Sequence, residues 1–182
     1  MPAGDGHEAV LLSGLYGAGK SSMAAEIADI LERAGIGYAL LDLDFLAWFD
    51  TGNADGPGEE EMFRANLTAV VRNYVGAGIR RFILAGLVAE AADRDRLADD
   101  LQMPLHVVRL TVPFREIERR LRADVTTGRA DDLREARAQL QREDGVGIED
   151  VAVANDRPIR EVAMEILDWL GWLSARASDK DA

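Results

Sequence analysis

Apolar residues are arranged along this chain in short continuous runs that alternate with stretches of helical periodicity. The apolar runs at 8–13, 37–45, 80–88, 105–112 and 149–155 predict five buried strands. In the stretches between them, apolar residues recur every three or four positions, as in helices that bury one face. This alternation predicts an α/β fold in three layers, α/β/α, with a five-stranded parallel sheet.

The chain length of 182 residues fits one domain with one sizeable core, and we predict a single domain over 1–182. An apolar fraction of 48% argues against disorder, and residues 175–182 are predicted to form a flexible tail. No stretch approaches the roughly 20 apolar residues that cross a bilayer. The first residues do not have the pattern of a signal peptide.

The net charge is −12, from 33 acidic and 21 basic residues. A surface of this charge repels nucleic-acid backbones and anionic membranes, so we expect neither as a partner. The sequence contains no cysteine, which excludes a disulfide framework and thiolate metal sites and favours the cytoplasm. Lysine occurs only at Lys20 and Lys180, so a lysine inside a glycine-rich segment is informative.

The segment GLYGAGKSS at 14–22 follows the first predicted strand and opens a predicted helix. Its spacing matches the pattern G-x-x-x-x-G-K-[ST], in which glycines turn backbone N–H groups toward phosphate oxygens. The helix N-terminus adds its positive dipole end, Lys20 reaches the β- and γ-phosphates, and Ser21 ligates Mg²⁺. We therefore predict that this P-loop binds a nucleoside triphosphate. The predicted nucleotide contacts in the loop are Gly14, Leu15, Tyr16, Gly17, Ala18, Gly19, Lys20, Ser21 and Ser22.

Three kinds of P-loop protein compete: a guanine-nucleotide switch, a motor-type ATPase and a small kinase. A switch needs an N-K-x-D guanine reader after a late strand, and Lys180 instead follows the last predicted helix. A motor ATPase usually has an apolar strand that ends in Asp-Glu, which neither 80–88 nor 105–112 does. The kinase is therefore favoured.

The second predicted strand ends in LLDLDF, which places Asp42 and Asp44 two positions apart in a segment predicted to be extended. In a strand this spacing puts both carboxylates on one face, here beside the P-loop. One carboxylate could help to hold Mg²⁺, and the other could accept the proton of an attacking hydroxyl. The alternative is a pair of solvated acids that close the strand.

The combination GLYGAGKSS…LLDLDF resembles adenylylsulfate kinases, and the acid pair followed by GEEEMFR at 58–64 also resembles shikimate kinases. Both belong to the nucleoside-monophosphate-kinase-like group of P-loop kinases, which includes gluconate kinase. The similarity in plan covers about 8–174. Two departures, Leu43 between the acids and a single Gly86 after the third strand, prevent either substrate from being carried over.

The resemblance implies roles for three residues near the acceptor. Asp42 would lie near Mg²⁺, and Asp44 would contact the acceptor and act as the base. Arg64 would bind or orient the acceptor. Alternatively, Arg64 forms a surface ion pair with Glu60 or Glu61, which precede it by four and three positions.

The same resemblance implies a helical lid over about 114–145 that closes over ATP and supplies arginines to the transferring phosphoryl group. Arginine donors would stabilise charge on the phosphoryl oxygens, and closure would exclude water. Arg120 and Arg129 fit the spacing best, ahead of Arg119 and Arg122. The alternative is a charged helical hairpin held by Glu–Arg pairs.

Residues 153–158 occupy the position where these kinases wrap the adenine. Arg157 could stack on the base, and Asn155 could instead cap the last helix. Trp169 and Trp172, near the end of that helix, are interpreted either as a homodimer contact or as edge packing.

Taken together, these features predict an ATP-dependent phosphotransferase that uses Mg²⁺ and transfers the γ-phosphoryl group to a hydroxyl of a small molecule. A non-catalytic ATP-binding module and a simple ATP hydrolase are the alternatives. Acidic residues near the predicted pocket favour a polyol or an amine-bearing alcohol as the acceptor, whereas Arg64 favours an anion. The acceptor therefore remains open at this point.

Overall fold

The computed structural model describes residues 6–50, 58–123 and 129–173. The predicted tail at 175–182 and the side chain of Arg129 lie outside the described part of the chain. Within that part, no helix combines the length and apolarity needed to span a bilayer.

All five predicted strands are present, and a helix follows each of them. The strands are β1 (Glu8–Ser13), β2 (Tyr38–Asp42), β3 (Arg81–Ala85), β4 (Leu105–Thr111) and β5 (Val151–Ala154). The helices are α1 (Lys20–Arg33), α2 (Glu59–Gly76), α3 (Ala91–Leu101), α4 (Phe114–Ala123), α5 (Arg129–Arg142) and α6 (Ile159–Leu170), with a 3₁₀ helix at Leu43–Ala47. The strands pair in parallel in the order β2-β3-β1-β4-β5. The predicted α/β fold with a five-stranded parallel sheet is confirmed.

The central strand β1 explains why helices cover both faces of the sheet. Its side chains alternate, so that Val10 and Leu12 pack with α1 and α6, while Ala9 and Leu11 pack with α2 and α3. All four residues are fully buried. Because every strand runs in the same direction, the segments that follow their carboxyl ends meet along one edge, where α/β proteins bind ligands.

The second strand is shorter than predicted, because the chain turns into the 3₁₀ helix after Asp42. Asp42 stays extended, with φ −89° and ψ 114°, and its side chain accepts a hydrogen bond from the Asp44 N–H at 3.2 Å. The prediction that both carboxylates share one face of an extended segment is therefore wrong. The capping hydrogen bond of Asp42 starts a helical turn instead of continuing the strand.

The third strand also ends earlier than predicted, at Ala85, and the next residue, Gly86, packs against Leu43 of the 3₁₀ helix. A Cβ added to Gly86 would lie 2.9 Å from Leu43 Cδ1 and 3.1 Å from Leu43 Cβ. A residue without a side chain lets the 3₁₀ helix pack this closely against the end of β3. The single Gly86 is thus a packing position that lets the 3₁₀ helix bury Leu43.

Helices α4 and α5 pack together and contact the P-loop through a small apolar cluster. Its buried members are Ile117, Leu121 and Ala136, and Leu15 and Tyr16 of the loop pack against them. This contact places the segment that the sequence predicts as a lid directly against the phosphate-binding loop.

The two tryptophans that suggested a dimer contact differ in exposure. Trp172 is 1% exposed and lies in the core between the sheet, α1 and α6. Trp169 is 44% exposed, and its ring meets the His106 ring edge-to-face at 5.8 Å between ring centres. Trp172 is therefore not accessible to a second subunit, and a dimer contact through Trp169 remains a prediction.

Candidate active site

The P-loop joins β1 to α1, and two of its glycines approach neighbouring atoms too closely for any other residue. Gly14 has φ +137°, and a Cβ there would lie 2.6 Å from the Leu110 carbonyl oxygen. Gly19 has φ +93°, and a Cβ there would lie 2.9 Å from Asn155 Nδ2. The glycines thus let the loop fit between β4 and the segment after β5.

Lys20, the first residue of α1, lies over the P-loop. Its Nζ donates to the carbonyl oxygens of Gly14 at 3.1 Å and Leu15 at 3.4 Å. Burial lowers the pKa of Lys20, while the charges of Asp44 and Asp42 act in the opposite direction. The structure therefore brings together the lysine and the two carboxylates that the sequence singled out.

The Ser21 hydroxyl donates a hydrogen bond to Asp42 Oδ2 at 2.7 Å. This bond connects the first turn of α1 to the end of β2 and places two oxygen ligands side by side. Mg²⁺ is usually bound through one or two carboxylates together with substrate phosphates and waters, so this oxygen pair fits the predicted ion. Across residues 6–50, 58–123 and 129–173, no group of three or more His, Cys, Asp or Glu residues is placed to hold a metal.

Two cavities meet at Asp44. The P-loop cavity, of about 560 Å³, is lined by loop residues including Lys20 and Ser21, together with Arg120 and Arg157. The side cavity, of about 580 Å³, lies between the 3₁₀ helix, α2 and α3. Asp44 lines both cavities. Asp44 is thus the residue that borders both cavities within the described lining.

The surroundings of Asp44 raise the pKa of its carboxyl group. Protein atoms remove part of its hydration and the Asp42 charge adds to the increase, whereas Lys20 lowers the pKa. A carboxylate with a raised pKa is a stronger proton acceptor than an ordinary aspartate while it remains ionised. The group at the junction of the two cavities therefore has the chemistry of a general base.

Asn155 supports the P-loop from the end of β5, a role that the sequence did not reveal. It is 5% exposed, and its Nδ2 donates to the Ala18 carbonyl oxygen at 2.8 Å. It does not cap the last helix, because Pro158 occupies the N-cap position of α6. The capping interpretation is therefore wrong: the side chain points to the P-loop, where a buried carbonyl needs a donor.

Gln139 of α5 holds the P-loop from the opposite side, and the sequence analysis missed it as well. Gln139 is 7% exposed, and its Oε1 accepts a hydrogen bond from the Tyr16 N–H at 2.8 Å. It follows Ala136, which is fully buried, by three positions on the same face of the helix. A polar residue at a buried helical position was the signal that could have identified it.

Among the lid arginines, Arg120 lies at the P-loop cavity. Its guanidinium donates to Glu116 and to the Asn155 carbonyl oxygen, each at 3.0 Å. Arg119 pairs with the same carboxylate, but its side chain is 69% exposed and is not part of the described lining of either cavity. The structure thus distinguishes Arg120 from Arg119, while the predicted role of Arg129 falls on a side chain outside the described part.

Arg157, predicted to stack on the adenine, also lines the P-loop cavity. Its guanidinium pairs with Glu165 of α6 at 2.5 Å, and the Arg157 side chain is 44% exposed. The position next to the P-loop is compatible with contact to a nucleotide base, and the stacking itself remains a prediction.

Arg64 of α2 lines the side cavity and forms a bidentate ion pair with Asp100 of α3. The distances are 2.7 Å from Nη2 to Oδ1 and 3.0 Å from Nε to Oδ2. The partners expected from the sequence, Glu60 or Glu61, are therefore wrong. The side chain of Asp100 is only 10% exposed. A carboxylate with so little contact to water gains more from a bidentate guanidinium partner than an exposed glutamate does.

Solved structures that resemble this one are P-loop kinases. A gluconokinase from Sinorhizobium meliloti 1021 is 19% identical, with a TM-score of 0.61 over 97% of this chain and 98% of the other. The Mycobacterium tuberculosis APS kinase in complex with AMPPNP and APS is 24% identical, with a TM-score of 0.56 over 91% and 98%. A shikimate kinase from Acinetobacter baumannii in complex with shikimate is 22% identical, with a TM-score of 0.51 over 90% and 93%.

The chain therefore has the fold of these three kinases, in agreement with the resemblance in its motifs. No protein-family model matches the sequence, and no match was found among curated proteins. Because the identities to the solved structures lie below 25%, the likeness establishes the fold. The activity has to be inferred from the site.

Proposed function

We propose that this protein is an ATP-dependent kinase that transfers the γ-phosphoryl group to a hydroxyl group of a small molecule, with Mg²⁺ as the metal ion. The observation that supports this most strongly is the position of Asp44, where the P-loop cavity meets the side cavity. Phosphoryl transfer needs a phosphate site and an adjoining hydroxyl site, with a proton acceptor between them. The kinases with this fold named above add support.

Each functional group has a role in the proposed reaction. Lys20 and the loop amides bind the β- and γ-phosphates. Ser21 and Asp42 hold Mg²⁺, which when bound neutralises phosphate charge. Asp44 accepts the proton of the acceptor hydroxyl as its oxygen bonds to the γ-phosphorus, the bond to the β–γ bridging oxygen breaks and ADP leaves. Arg120 donates to the oxygens of the transferring group.

The remaining parts of the proposal concern the lid, the contact to the adenine, the cellular location and the oligomeric state. Residues 114–145 of a single domain act as the lid, because Ile117 and Leu121 already contact the P-loop. Arg157 stacks on the adenine. Cytoplasmic location is part of the proposal and rests on the lack of cysteine. A homodimer through Trp169 is retained as a hypothesis.

The test is ATP consumption by the purified protein with and without a pool of hydroxyl-bearing metabolites. A kinase consumes ATP when the acceptor is present, a hydrolase consumes it without one, and a non-catalytic ATP-binding module consumes little in either condition. Asp44→Asn is expected to keep the MgATP-induced rise in Tm while losing roughly 10²–10⁴-fold in transfer. Full turnover by Asp44→Asn would exclude the base role, and no rise in Tm of the wild type with MgATP would reject the nucleotide site.

A further inference from the structure

We infer that the side cavity binds an alcohol that is uncharged or carries an amine and that presents a flat apolar face, and that it discriminates against carboxylates, sulfates and phosphates. This inference rests on the proposed function, because it names the acceptor class of the same reaction. The cavity volume of about 580 Å³ suits a small-molecule ligand. A larger groove of about 760 Å³ follows α2 from Gly58 to Arg72, but Asp44 is not part of its described lining.

In the described part of the chain, two guanidinium groups line the side cavity, and both already have carboxylate partners. Arg64 pairs with Asp100 at 2.7 Å, and Arg96 pairs with Asp93 at 2.5 Å. All four residues line the cavity. An anionic acceptor would compete with these carboxylates for the two guanidinium groups, so the existing ion pairs reduce the free energy that an anion gains by binding there. The presence of arginine in this cavity therefore does not make it an anion site.

Carboxylates outnumber guanidinium groups in the lining of the side cavity. Asp44, Glu59 and Glu60 line it in addition to the two paired aspartates, so among the described lining residues five carboxylates stand against two arginines. A lining with this excess of negative charge attracts a cation and repels an anion. The electrostatic balance thus favours an amine-bearing or neutral alcohol next to the Asp44 base.

An exposed aromatic surface provides the apolar contact. Trp48 lines the cavity and is 79% exposed, and its ring stacks on Phe45, which is 63% exposed, with 5.4 Å between ring centres. Phe63 and Leu87 add apolar surface to the same lining. Indole faces bind the C–H faces of ring compounds, aromatic rings and ammonium groups. We therefore expect the acceptor to place a flat apolar face against Trp48.

Two aromatic alcohols with the same phenyl ring test the charge preference directly. Phenylalaninol carries an ammonium group, and 3-phenyllactate carries a carboxylate. Binding to the full-length protein without nucleotide is followed by Trp48 fluorescence, with Trp48→Phe as the background. Phenylalaninol is expected to bind about tenfold more tightly, since each carboxylate near the ligand contributes to the difference. Equal or tighter binding of 3-phenyllactate, or no saturable binding of either compound, would overturn the inference.

Asp100→Asn tests whether the internal ion pairs cause the discrimination. Removing the partner of Arg64 is expected to tighten 3-phenyllactate binding about tenfold and to weaken phenylalaninol binding. Asp95→Asn removes the same charge from an exposed position of α3 outside the described lining, and is expected to leave both affinities unchanged. An unchanged affinity of folded Asp100→Asn for 3-phenyllactate would overturn the inference.

The proposed function and this inference fail in different ways. Binding of the two alcohols is measured without ATP, whereas the rise in Tm with MgATP reports on the P-loop alone. Loss of the MgATP effect with the amine preference retained would reject the kinase and leave the ligand class of the cavity standing. A normal MgATP effect with a preference for 3-phenyllactate would reject the ligand class and leave the kinase standing.

Discussion

The side-chain amide of Asn155 donates a 2.8 Å hydrogen bond to the carbonyl oxygen of Ala18, and both residues are buried. The space for this amide exists because Gly19 has no Cβ, which would lie 2.9 Å from Asn155 Nδ2. The backbone carbonyl oxygen of Asn155 accepts a hydrogen bond from Arg120 at 3.0 Å. Asn155 thus links the P-loop to the arginine of α4 that lies at the same cavity.

Asn155→Ala is expected to destabilise the protein by about 1–3 kcal/mol, because the buried Ala18 carbonyl loses its donor. MgATP binding is expected to weaken as well, since the P-loop loses a contact that holds its conformation. Chemical denaturation and a nucleotide titration measure the two effects. Asp156→Ala, at the exposed neighbouring position, is the control. Nucleotide affinity like that of the wild type in Asn155→Ala would contradict the supporting role.

Gly17→Ala is expected to weaken MgATP binding more than its backbone strain alone would. Gly17 and Gly147 share the same φ of +81°, but a Cβ on Gly17 would lie 3.0 Å from Ile117 Cγ2 and 3.2 Å from Leu121 Cγ, whereas Gly147 has no atom within 4 Å. Both alanine variants therefore carry a left-handed backbone cost of roughly 1–2 kcal/mol. Gly17→Ala additionally pushes α4 away from the loop. Equal nucleotide affinities of the two variants would argue against this packing contact.

Arg120→Met is expected to lower kcat by about 10²–10³-fold, because a donor to the transferring phosphoryl group is lost. Arg119→Met is the matched control: Arg119 pairs with the same Glu116 carboxylate but is largely exposed. It is expected to stay within about twofold of the wild type, as surface ion pairs contribute little. Steady-state kinetics with the acceptor identified in the pooled assay measures both. A similar loss of kcat in the two variants would indicate that a disturbed α4, and not the missing Arg120 guanidinium, causes the effect.

Asp44→Asn, which is expected to slow transfer roughly 10²–10⁴-fold, is also expected to raise the Tm at pH 7. The folded protein raises the pKa of Asp44 above its ordinary value of 3.8, so folding is opposed by ionisation of this group. The contribution of Asp44 to stability is therefore most favourable below its unfolded pKa and is lost as the pH rises through its folded pKa. The gain in the variant should shrink as the pH is lowered toward 3.8. Thermal denaturation of both proteins across this range checks the sign, and a lower Tm of the variant at pH 7 would refute it.

Asp42→Asn is expected to raise the Mg²⁺ concentration required for half-maximal activity by about 10–100-fold, the usual effect of losing a group that orients a metal site. Ser21→Ala should act in the same direction, because Ser21 and Asp42 form one hydrogen-bonded pair at 2.7 Å. Mg²⁺ titrations at saturating ATP provide the measurement. Ser22→Ala, at the next position of α1, serves as the control and is expected to leave the Mg²⁺ requirement unchanged. A normal Mg²⁺ requirement in Asp42→Asn would remove Asp42 from the metal site.

Several features of the site were predictable because they depend on residues close together in sequence. The P-loop is one continuous segment, so the spacing of Gly14, Gly19, Lys20 and Ser21 already identifies it. The acid pair was located correctly but in the wrong conformation, because the capping hydrogen bond from Asp42 competes with strand extension. The alternation of polar and apolar residues in LLDLDF is compatible both with an extended strand and with a strand that turns into a 3₁₀ helix after Asp42.

By itself, the sequence determined the five strands, their parallel alternation with helices, and the position of the P-loop between β1 and α1, because continuous apolar runs and local glycine spacing encode these features. The tertiary structure alone decided that Asn155 and Gln139 hold the P-loop, that Asp100 neutralises Arg64, and that Asp44 lies between two cavities. The physical reason is the distance along the chain: Arg64 and Asp100 are 36 positions apart, and Asn155 and Ala18 are 137 apart. The packing of the helices and the sheet determines which of these residues meet, and a local sequence pattern does not contain that information.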